Sequence, residues 1–233
     1  MVGKLMAQMG LKSCQLKTHK YKHCDEEHKA HDNILNRNFS PTSPNQVWTG
    51  DVTYVRIKGG WCYLAVMLDL YARRVVGFAV SDSPDSMLTT KALQMAYHSR
   101  LKPSGVLFHS DQGTHYTSKT FAESVASCDG MTQSMSRKGT TRAKLLSCVG
   151  AKQCFAISLL RDNAPTERFF RSFKTEWMPK GGYKNITEAR TAIIDYIWGY
   201  YQSVRPHSFN DYLPPAEKER RYFNQNLLSG VLN

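Results

Sequence analysis

Hydrophobic and polar residues alternate from Val47 onward in a pattern that predicts strands first and helices later. Val47–Ile57 alternates β-branched and polar residues, Gly59-Gly60 predicts a turn, and Trp61–Leu70 is an almost continuous apolar run. Arg74–Val80 has the same character after a short connection. Three strands joined by such tight links predict an antiparallel meander.

Helical and strand-like segments then follow one another along the chain. The expected helices are Ser86–Arg100, Ser118–Cys128, Asp162–Trp177 and Thr187–Val204, and the expected further strands are Gly105–Ser110 and Met131–Ser136. The order βββαβαβα predicts an α/β domain in which a mixed sheet is flanked by helices.

Composition divides the chain into three expected regions. Residues 1–44 are basic and polar, end in the turn-rich stretch Ser40–Asn45 and predict an arm. Residues 45–222 are expected to form the folded core, and residues 223–233 a tail. Within the core, residues 140–161 follow no clean period, so we expect an atypical insertion there.

The net charge narrows the class of partner. Lysine and arginine outnumber aspartate and glutamate by 31 to 19, which gives +12 and favours a polyanion, nucleic acid first and an anionic membrane second. The longest apolar run, Cys62–Leu68, is far too short to span a bilayer. The six cysteines form no CxxC pair and no recognisable disulfide framework, so we expect reduced thiols in a cytoplasmic protein.

Three acidic residues stand out, because a cationic chain has little reason to gather carboxylates unless a more positive group lies among them. Asp51 lies within the first strand, Asp111 ends a strand close to Gly113, and Glu167 opens a helix. A divalent metal beside a phosphodiester is the natural candidate for that group. The alternatives are an edge-strand aspartate facing water, a turn-capping aspartate and a surface ion-pair ladder, respectively.

The helix that carries Glu167 has a second chemical face. Glu167, Arg171 and Lys174 lie at i, i+4 and i+7, so an acid is followed by two cations on one side. This arrangement suits a metal site with DNA phosphates alongside. We expect Asp162 to be the N-cap of the helix.

Two further candidates favour other roles. A histidine and cysteine cluster in the arm matches no firm zinc spacing, so we prefer a solvated basic arm; its members are His19, His23, Cys24, His28 and His31. Asp69 precedes a strand-to-strand connection, where we expect it to support the turn or to pair with an arginine.

Six segments taken together resemble, in chain order, the catalytic domain of DDE transposases. Within that family they are similar to the bacterial insertion-sequence branch, which itself resembles retroviral integrases. The segments are QVWTGDVTYV, GWCYLAVMLDLYARRVVGFAV, FHSDQGTHYTS, SMSRKG, DNAPTERFFRSFKTEW and YYQSVRPHSFNDYLPPAE. The likeness extends over most of residues 1–222.

The resemblance implies a ribonuclease-H-like fold, two Mg²⁺ or Mn²⁺ ions, and Asp51, Asp111 and Glu167 as the catalytic triad that ligates them. It implies hydrolytic nicking at an element end, followed by strand transfer into target DNA. The expected DNA contacts are Lys174, Arg171, Lys138, Arg137, His109 and Arg205. The implied partners are transposon-end and target DNA, further copies of the chain in a synaptic complex, and an upstream-frame protein. The implied location is the bacterial cytoplasm, in association with the nucleoid.

The sequence departs from the family pattern in two places. Asp111 and Glu167 are 56 positions apart, longer than the family spacing by roughly twenty, and residues 140–161 account for the excess. We expect the fold to survive this insertion and activity to be reduced or lost. Upstream, we expect only the tail of a helical end-recognising region, Met1–Gly10. The rival interpretations are a catalytically silent DNA-binding remnant and a ribonuclease-H-type nuclease acting on RNA–DNA hybrids.

Overall fold

A five-stranded mixed sheet forms the centre of the computed structural model, which describes residues 31–137 and 162–231. The spatial order of the strands is β3-β2-β1-β4-β5. The first three strands are antiparallel, whereas β4 pairs parallel with β1, and β5 pairs parallel with β4. The expected meander and its parallel additions are therefore confirmed. The strands are β1 (Val47–Ile57), β2 (Gly60–Asp69), β3 (Arg74–Ser81), β4 (Leu107–Ser110) and β5 (Thr132–Met135).

Helices cover both faces of the sheet. One face packs against α1 (Ser86–Ser99), α2 (Thr114–Thr117) and α3 (Lys119–Ala126). The other face packs against α4 (Ala164–Glu176), α5 (Ile186–Ile194) and a π-helix (Asp195–Tyr201) that continues α5. The short helix α2 was not expected, and the expected helix Thr187–Val204 is the α5 and π-helix pair. The last helix is α6 (Pro215–Val231).

The continuous apolar run of β2 follows from burial on both faces. Leu64, Val66 and Leu68 belong to the core shared with α4 and α5. Ala65 and Met67, between them in sequence, belong to the core shared with α1. Since successive strand residues point to opposite faces, a strand covered on both sides cannot show apolar–polar alternation.

Close contact between α1 and β3 depends on a glycine. A Cβ atom built on Gly77 would lie 2.3 Å from the Ala92 carbonyl oxygen and 2.5 Å from the Ala96 amide nitrogen. Both neighbours are backbone atoms of α1, so the helix would have to move away from the sheet to admit any side chain.

The packed structure begins before the expected boundary at residue 45. Leu35 is buried in the core shared with α4. The amides of Ile34 and Leu35 donate to the Ser134 hydroxyl, and the Met135 amide donates to the Asp32 carbonyl. At the other end, α6 continues through the expected boundary at residue 222.

A buried charge network joins α6 to the sheet. Glu219 pairs with both Arg74 and Arg100, and Arg100 also pairs with Asp69 at 3.2 Å. Asp69 further accepts hydrogen bonds from the amides of Asn45 and Tyr71. The expected turn and arginine-pairing role of Asp69 is confirmed, so this acid is not a rival for the catalytic triad.

Several expectations lie outside the described residues. They are the Met1–Gly10 helical pattern, the histidine–cysteine cluster apart from His31, Lys138 and the 140–161 insertion. Across residues 31–137 and 162–231, no helix is both long and apolar enough to cross a membrane.

Candidate functional site

The parallel register of β1 and β4 sets Asp51 beside Asp111. Thr49 is the last residue of β1 that pairs with β4, and its partner is His109. Two residues further along each strand come Asp51 and Asp111, which therefore project from the same face of the sheet. Neighbouring strands lie about 4.8 Å apart, so the two carboxylates are direct neighbours where β4 ends.

The first turn of α4 is fixed to β1 immediately before Asp51. The hydroxyl oxygens of Thr49 and Thr166 are 2.7 Å apart, and both side chains are fully buried. The Asn163 side-chain amide donates to the Gly50 carbonyl at 2.9 Å. Glu167 follows Thr166 directly, so these two contacts place its backbone next to the aspartate pair.

The Asp51 carboxylate lies within electrostatic reach of both Asp111 and Glu167. Burial raises the pKa of Asp51 well above its usual value, and the negative charges of Asp111 and Glu167 raise this pKa further. A hydrogen bond from the Val52 amide and the positive charge of Lys174 act in the opposite direction. The balance favours neutralisation of the Asp51 carboxylate by a proton or by a cation.

The three acids approach one another but do not form a complete metal-binding site. Within the two described stretches, 31–137 and 162–231, no three His, Cys, Asp or Glu side chains are gathered tightly enough to hold an ion. Like-charged carboxylates repel, so a cation is the agent that would draw them together. The donor set consists of carboxylate oxygens alone, which fits Mg²⁺ or Mn²⁺.

A tight turn after β4 orients Asp111. Its carboxylate accepts a hydrogen bond from the Gly113 amide at 2.9 Å. A Cβ atom on Gly113 would lie 2.9 Å from that same carboxylate oxygen and 2.8 Å from the His115 ring. Burial lowers the pKa of His115, although the Asp111 charge partly offsets this effect. Glycine at position 113 thus permits the backbone to approach the carboxylate this closely.

Lys174 on α4 lies against Tyr54 of β1. Its ammonium group lies 4.3 Å from the centre of the exposed Tyr54 ring. Burial lowers the pKa of Lys174, and the Asp51 charge counteracts that effect. The Tyr54 ring and the negative charge of Asp51 both stabilise the Lys174 ammonium group, so this positive charge lies beside the site.

The other expected DNA contacts are placed differently from one another. Arg171 is exposed on α4. Arg137 is exposed and donates to the Asn36 side chain at 2.5 Å. Arg205 forms a two-pronged ion pair with Glu176, at 2.5 and 2.7 Å. Arg171 is therefore open to a partner, while Arg205 is used largely within the fold.

His109, an expected DNA contact, lies inside the fold. The His109 side chain is fully buried and lies 2.9 Å from the Ser134 hydroxyl. Burial lowers the pKa of His109 to about 4, so the ring is neutral at physiological pH. Its position on β4 two residues before Asp111 makes it part of the core beneath the site.

The expected N-cap role of Asp162 is also wrong. Asn163 occupies the N-cap position, and its side chain makes no capping hydrogen bond. The Asp162 carboxylate instead accepts from Arg37 at 2.6 Å, from Asn33 at 3.2 Å and from the Arg137 amide at 3.2 Å. These contacts hold residue 137 next to residue 162, the two residues that border the undescribed segment 138–161.

The site uses residues that sequence reasoning did not single out. Thr49, Asn163 and Thr166 dock α4 on β1, and Tyr54 supports Lys174. Asn163 and Thr166 lie in the segment around Glu167, so polar residues flanking a candidate acid on a helix were the available signal. Nothing in the local sequence marks Tyr54, because its contact with α4 is purely tertiary.

A mixed sheet of three antiparallel strands followed by two parallel ones, with helices on both faces, defines a ribonuclease-H-like fold. Family comparison agrees with that class. Residues 41–141 and residues 160–215 each match the integrase core domain.

Curated relatives extend the agreement. The chain is 33% identical over 221 residues to the transposase for insertion sequence element IS904 of Lactococcus lactis, covering 94% of this chain and 79% of that protein. It is 56% identical over 108 residues to the putative transposase InsO for IS911B of Escherichia coli, covering 46% of this chain and 54% of that protein. The chain thus belongs to the integrase-core family of insertion-sequence transposases.

The chain spans only part of the length of some of its relatives. The chain spans 54% and 62% of the length of two relatives, the InsO protein and an IS600 protein of Shigella sonnei. The catalytic core of HTLV-2 integrase in complex with magnesium superposes with a TM-score of 0.47 at 17% identity, covering 76% of this chain and 98% of that one.

Proposed function

We propose that the chain is the catalytic part of an insertion-sequence transposase, which nicks DNA at an element end and joins that end to target DNA. The observation that carries the proposal is the shared register of Asp51 and Asp111, completed by the docking of the Glu167 turn on β1. Membership of the integrase-core transposases supports it independently.

In this proposal Asp51, Asp111 and Glu167 hold two Mg²⁺ or Mn²⁺ ions. Such ions, when bound, would supply activation of a water or a 3′-hydroxyl and stabilisation of the leaving oxygen. The chain supplies a rigid base for two of the ligands, because Asp51 and Asp111 stand on paired strands. Glu167 stands on a helix whose first turn is docked on β1 by the Thr49–Thr166 and Asn163–Gly50 contacts.

The proposed DNA path follows α4. Lys174 and Arg171 project from the helix that carries Glu167, and Arg137 is exposed at the border of the undescribed segment. A phosphate beside Lys174 would exchange a cation–π contact for a stronger charge pair. We assign Arg205 a supporting role, because its ion pair with Glu176 braces the C-terminal end of α4.

The proposed partners are transposon-end DNA, target DNA and further copies of the chain. Joining two element ends requires two catalytic centres, which accounts for an assembly of more than one copy. An upstream-frame protein would supply recognition of the element ends, and association with DNA would hold the assembly at the nucleoid. Light scattering with and without end DNA tests the assembly.

The decisive experiment is metal-dependent cleavage and strand transfer. An oligonucleotide carrying the element end that flanks this coding sequence should be cut in Mg²⁺ or Mn²⁺ and left intact in chelator. Asp111→Asn should abolish the product, whereas Asp129→Asn, at an exposed aspartate remote from the site, should not. Cleavage that persists in Asp111→Asn, or cleavage of an RNA–DNA hybrid in place of the end DNA, contradicts the proposal.

A second candidate function is a catalytically silent DNA-binding remnant. One observation favours it: the first integrase-core match ends at residue 141 and the second begins at residue 160, so neither covers residues 142–159. That stretch lies between Asp111 and Glu167 in sequence. Salt-sensitive DNA binding without metal-dependent cleavage by the intact chain would identify the remnant.

A further inference from the structure

A cleft of about 680 Å³ lies between α4 and the turn His207–Phe209, on the side of α4 that bears Arg168. Glu167 stands at one end of the cleft, so it adjoins the proposed catalytic centre. The rest of the wall comes from the two phenylalanines of the cleft and from basic side chains. The principal lining residues are Phe39, Arg73, Arg168, Arg171, His207 and Phe209.

The cleft carries more positive than negative charge. Glu176, one of its two acids, is neutralised by the ion pair with Arg205. Arg168 and Arg171 are exposed, and neither takes part in an ion pair within the part of the chain that the structure describes. Three arginines, Arg73, Arg168 and Arg171, therefore line a cleft that contains two acids, Glu167 and the ion-paired Glu176.

Arg73 is a buried cation with an unused donor. Its side chain lines the cleft, the residue is only 7% exposed, and its Nη1 atom has no hydrogen-bond partner. The Nη2 atom donates to the Phe39 carbonyl at 2.8 Å, and the Phe209 ring lies 3.7 Å from the guanidinium carbon. A buried arginine without a carboxylate partner is costly, so the fold retains a charge that an anion would stabilise.

His207 reports the same positive environment. Its Nδ1 atom accepts a hydrogen bond from the Phe209 amide at 3.3 Å, which assigns the ring proton to Nε2. Burial lowers the pKa of His207 to about 4, and the charges of Arg73, Arg205 and Arg168 contribute to that decrease. A neutral imidazole donor thus lies among the arginines.

We propose that this cleft binds a backbone phosphate of the DNA strand that leaves the catalytic centre along α4. The inference rests on the proposed transposase function, because it takes the strand at Glu167 as its starting point. Guanidinium groups match phosphate oxygens in a two-pronged geometry, and both Arg73 and Arg168 line the cleft. Phe209, which stacks on the Arg73 guanidinium, lines the same cleft.

Salt-dependent binding of a short fluorescent oligonucleotide tests the site without requiring turnover. Binding is measured in chelator, so that cleavage and metal affinity do not enter. Arg168→Gln should weaken binding and reduce the slope of log affinity against log salt by about one, the value for one lost phosphate contact. Lys91→Gln, at an exposed lysine of α1 on the opposite face of the sheet, is the matched control. Equal slopes for the two variants overturn the proposal.

A tethering experiment distinguishes a DNA strand from free phosphate, which has the same chemistry. Ser208 is exposed at the cleft wall, and Ser208→Cys can be crosslinked to oligonucleotides that carry a phosphate-linked thiol at successive positions. A bound strand gives a yield that peaks at one tether position and exceeds that of the parent chain. A crosslinking yield that is the same at every tether position contradicts the proposal. So does a yield that inorganic phosphate abolishes while the affinity for DNA stays unchanged. If both tests support the cleft but the chain never cleaves DNA, only the proposed catalytic function is rejected.

Discussion

The hydroxyl groups of Thr49 and Thr166 meet 2.7 Å apart at the crossing of β1 and α4. Each lies within two residues of a candidate metal ligand, Asp51 on the strand and Glu167 on the helix. The Thr49–Thr166 contact therefore fixes the position of Glu167, the one candidate ligand on a helix, relative to the sheet. This contact is the geometric link between the fold and the proposed chemistry.

We expect a double-mutant cycle to reveal that link. Thr166→Val or Thr49→Val alone leaves one buried hydroxyl without a partner and should cost about 1–3 kcal/mol of stability. The double valine variant should cost less than the sum of the two, because no hydroxyl remains unsatisfied. Urea unfolding measures all three variants. Strict additivity would mean that the two hydroxyls do not interact.

Removal of the Asp51 charge should stabilise the metal-free protein. The folded-state pKa of Asp51 is raised above its unfolded value, so the favourable contribution of this group exists at acid pH and is lost as pH rises through the folded-state pKa. Asp51→Asn should thus raise the free energy of unfolding at neutral pH by about 1–2 kcal/mol, an ordinary magnitude for one substitution. The gain should vanish below about pH 4, where the unfolded aspartate is also protonated.

The same variant separates folding from metal binding. Mg²⁺ should raise the melting temperature of the parent chain, because an ion that binds only the folded state stabilises it by mass action. It should leave the melting temperature of Asp51→Asn nearly unchanged. A variant that is less stable than the parent at neutral pH without metal would contradict the electrostatic argument.

Asp162 should prove to be a structural acid. Asp162→Ala removes the acceptor of three hydrogen bonds, from Arg37, Asn33 and the Arg137 amide. We expect a loss of about 2–4 kcal/mol, since one of the donors is a charged guanidinium and the carboxylate is buried. Asp129→Ala serves as the exposed control, and denaturant unfolding of both gives the difference. Similar free energies of unfolding for Asp162→Ala and Asp129→Ala would rule out a structural role for the Asp162 hydrogen bonds.

Shortening the segment between the two family matches should restore or raise catalysis with little effect on stability. Closing a loop costs only about 0.6 kcal/mol for each doubling of its length, so the fold tolerates the extra residues. We expect a chain without residues 140–161 to perform more strand transfer than the parent. A Gly/Ser replacement of equal length separates the effect of length from that of composition. Equal strand transfer by the parent and the trimmed chain would contradict this prediction.

Lys174 should matter for DNA and not for folding. Lys174→Gln should lower the salt slope of DNA binding by about one, as expected for a lost phosphate contact. The melting temperature should change little, because the lost contact is a half-buried cation–π pair with Tyr54. Tyr54→Phe keeps the ring and should match the parent in DNA binding. An unchanged slope in Lys174→Gln would remove this residue from the DNA path.

The sheet was predictable because its signals are local. The limits of β1 follow from alternation between Val47 and Ile57, and the run from Trp61 to Leu70 predicts a strand that is covered on both sides. The helices that cover this strand on its two faces were also predictable, because their apolar residues recur with a helical period. The π-helix was not predictable, since it differs from an α-helix only in its hydrogen-bond spacing.

The site was predictable in its acids and not in its supports. Asp51 stands out as a charge within a strand, Asp111 as a charge at the end of one, and Glu167 as an acid that begins a basic helix face. The role of Asp162 depends on Arg37, which is 125 positions away. His109 lies in the same polar stretch as Asp111, but its position on β4 directs its side chain into the core. Such pairings depend on tertiary distance, which local sequence patterns do not encode.

The hydrogen bond between the Arg137 amide and Asp162 has an evolutionary consequence. Because residues 137 and 162 lie side by side, genetic additions between them meet little folding penalty. An insertion at this position can therefore reduce turnover without preventing the protein from folding. Foreign sequence can accumulate between residues 137 and 162 while the surrounding architecture remains intact.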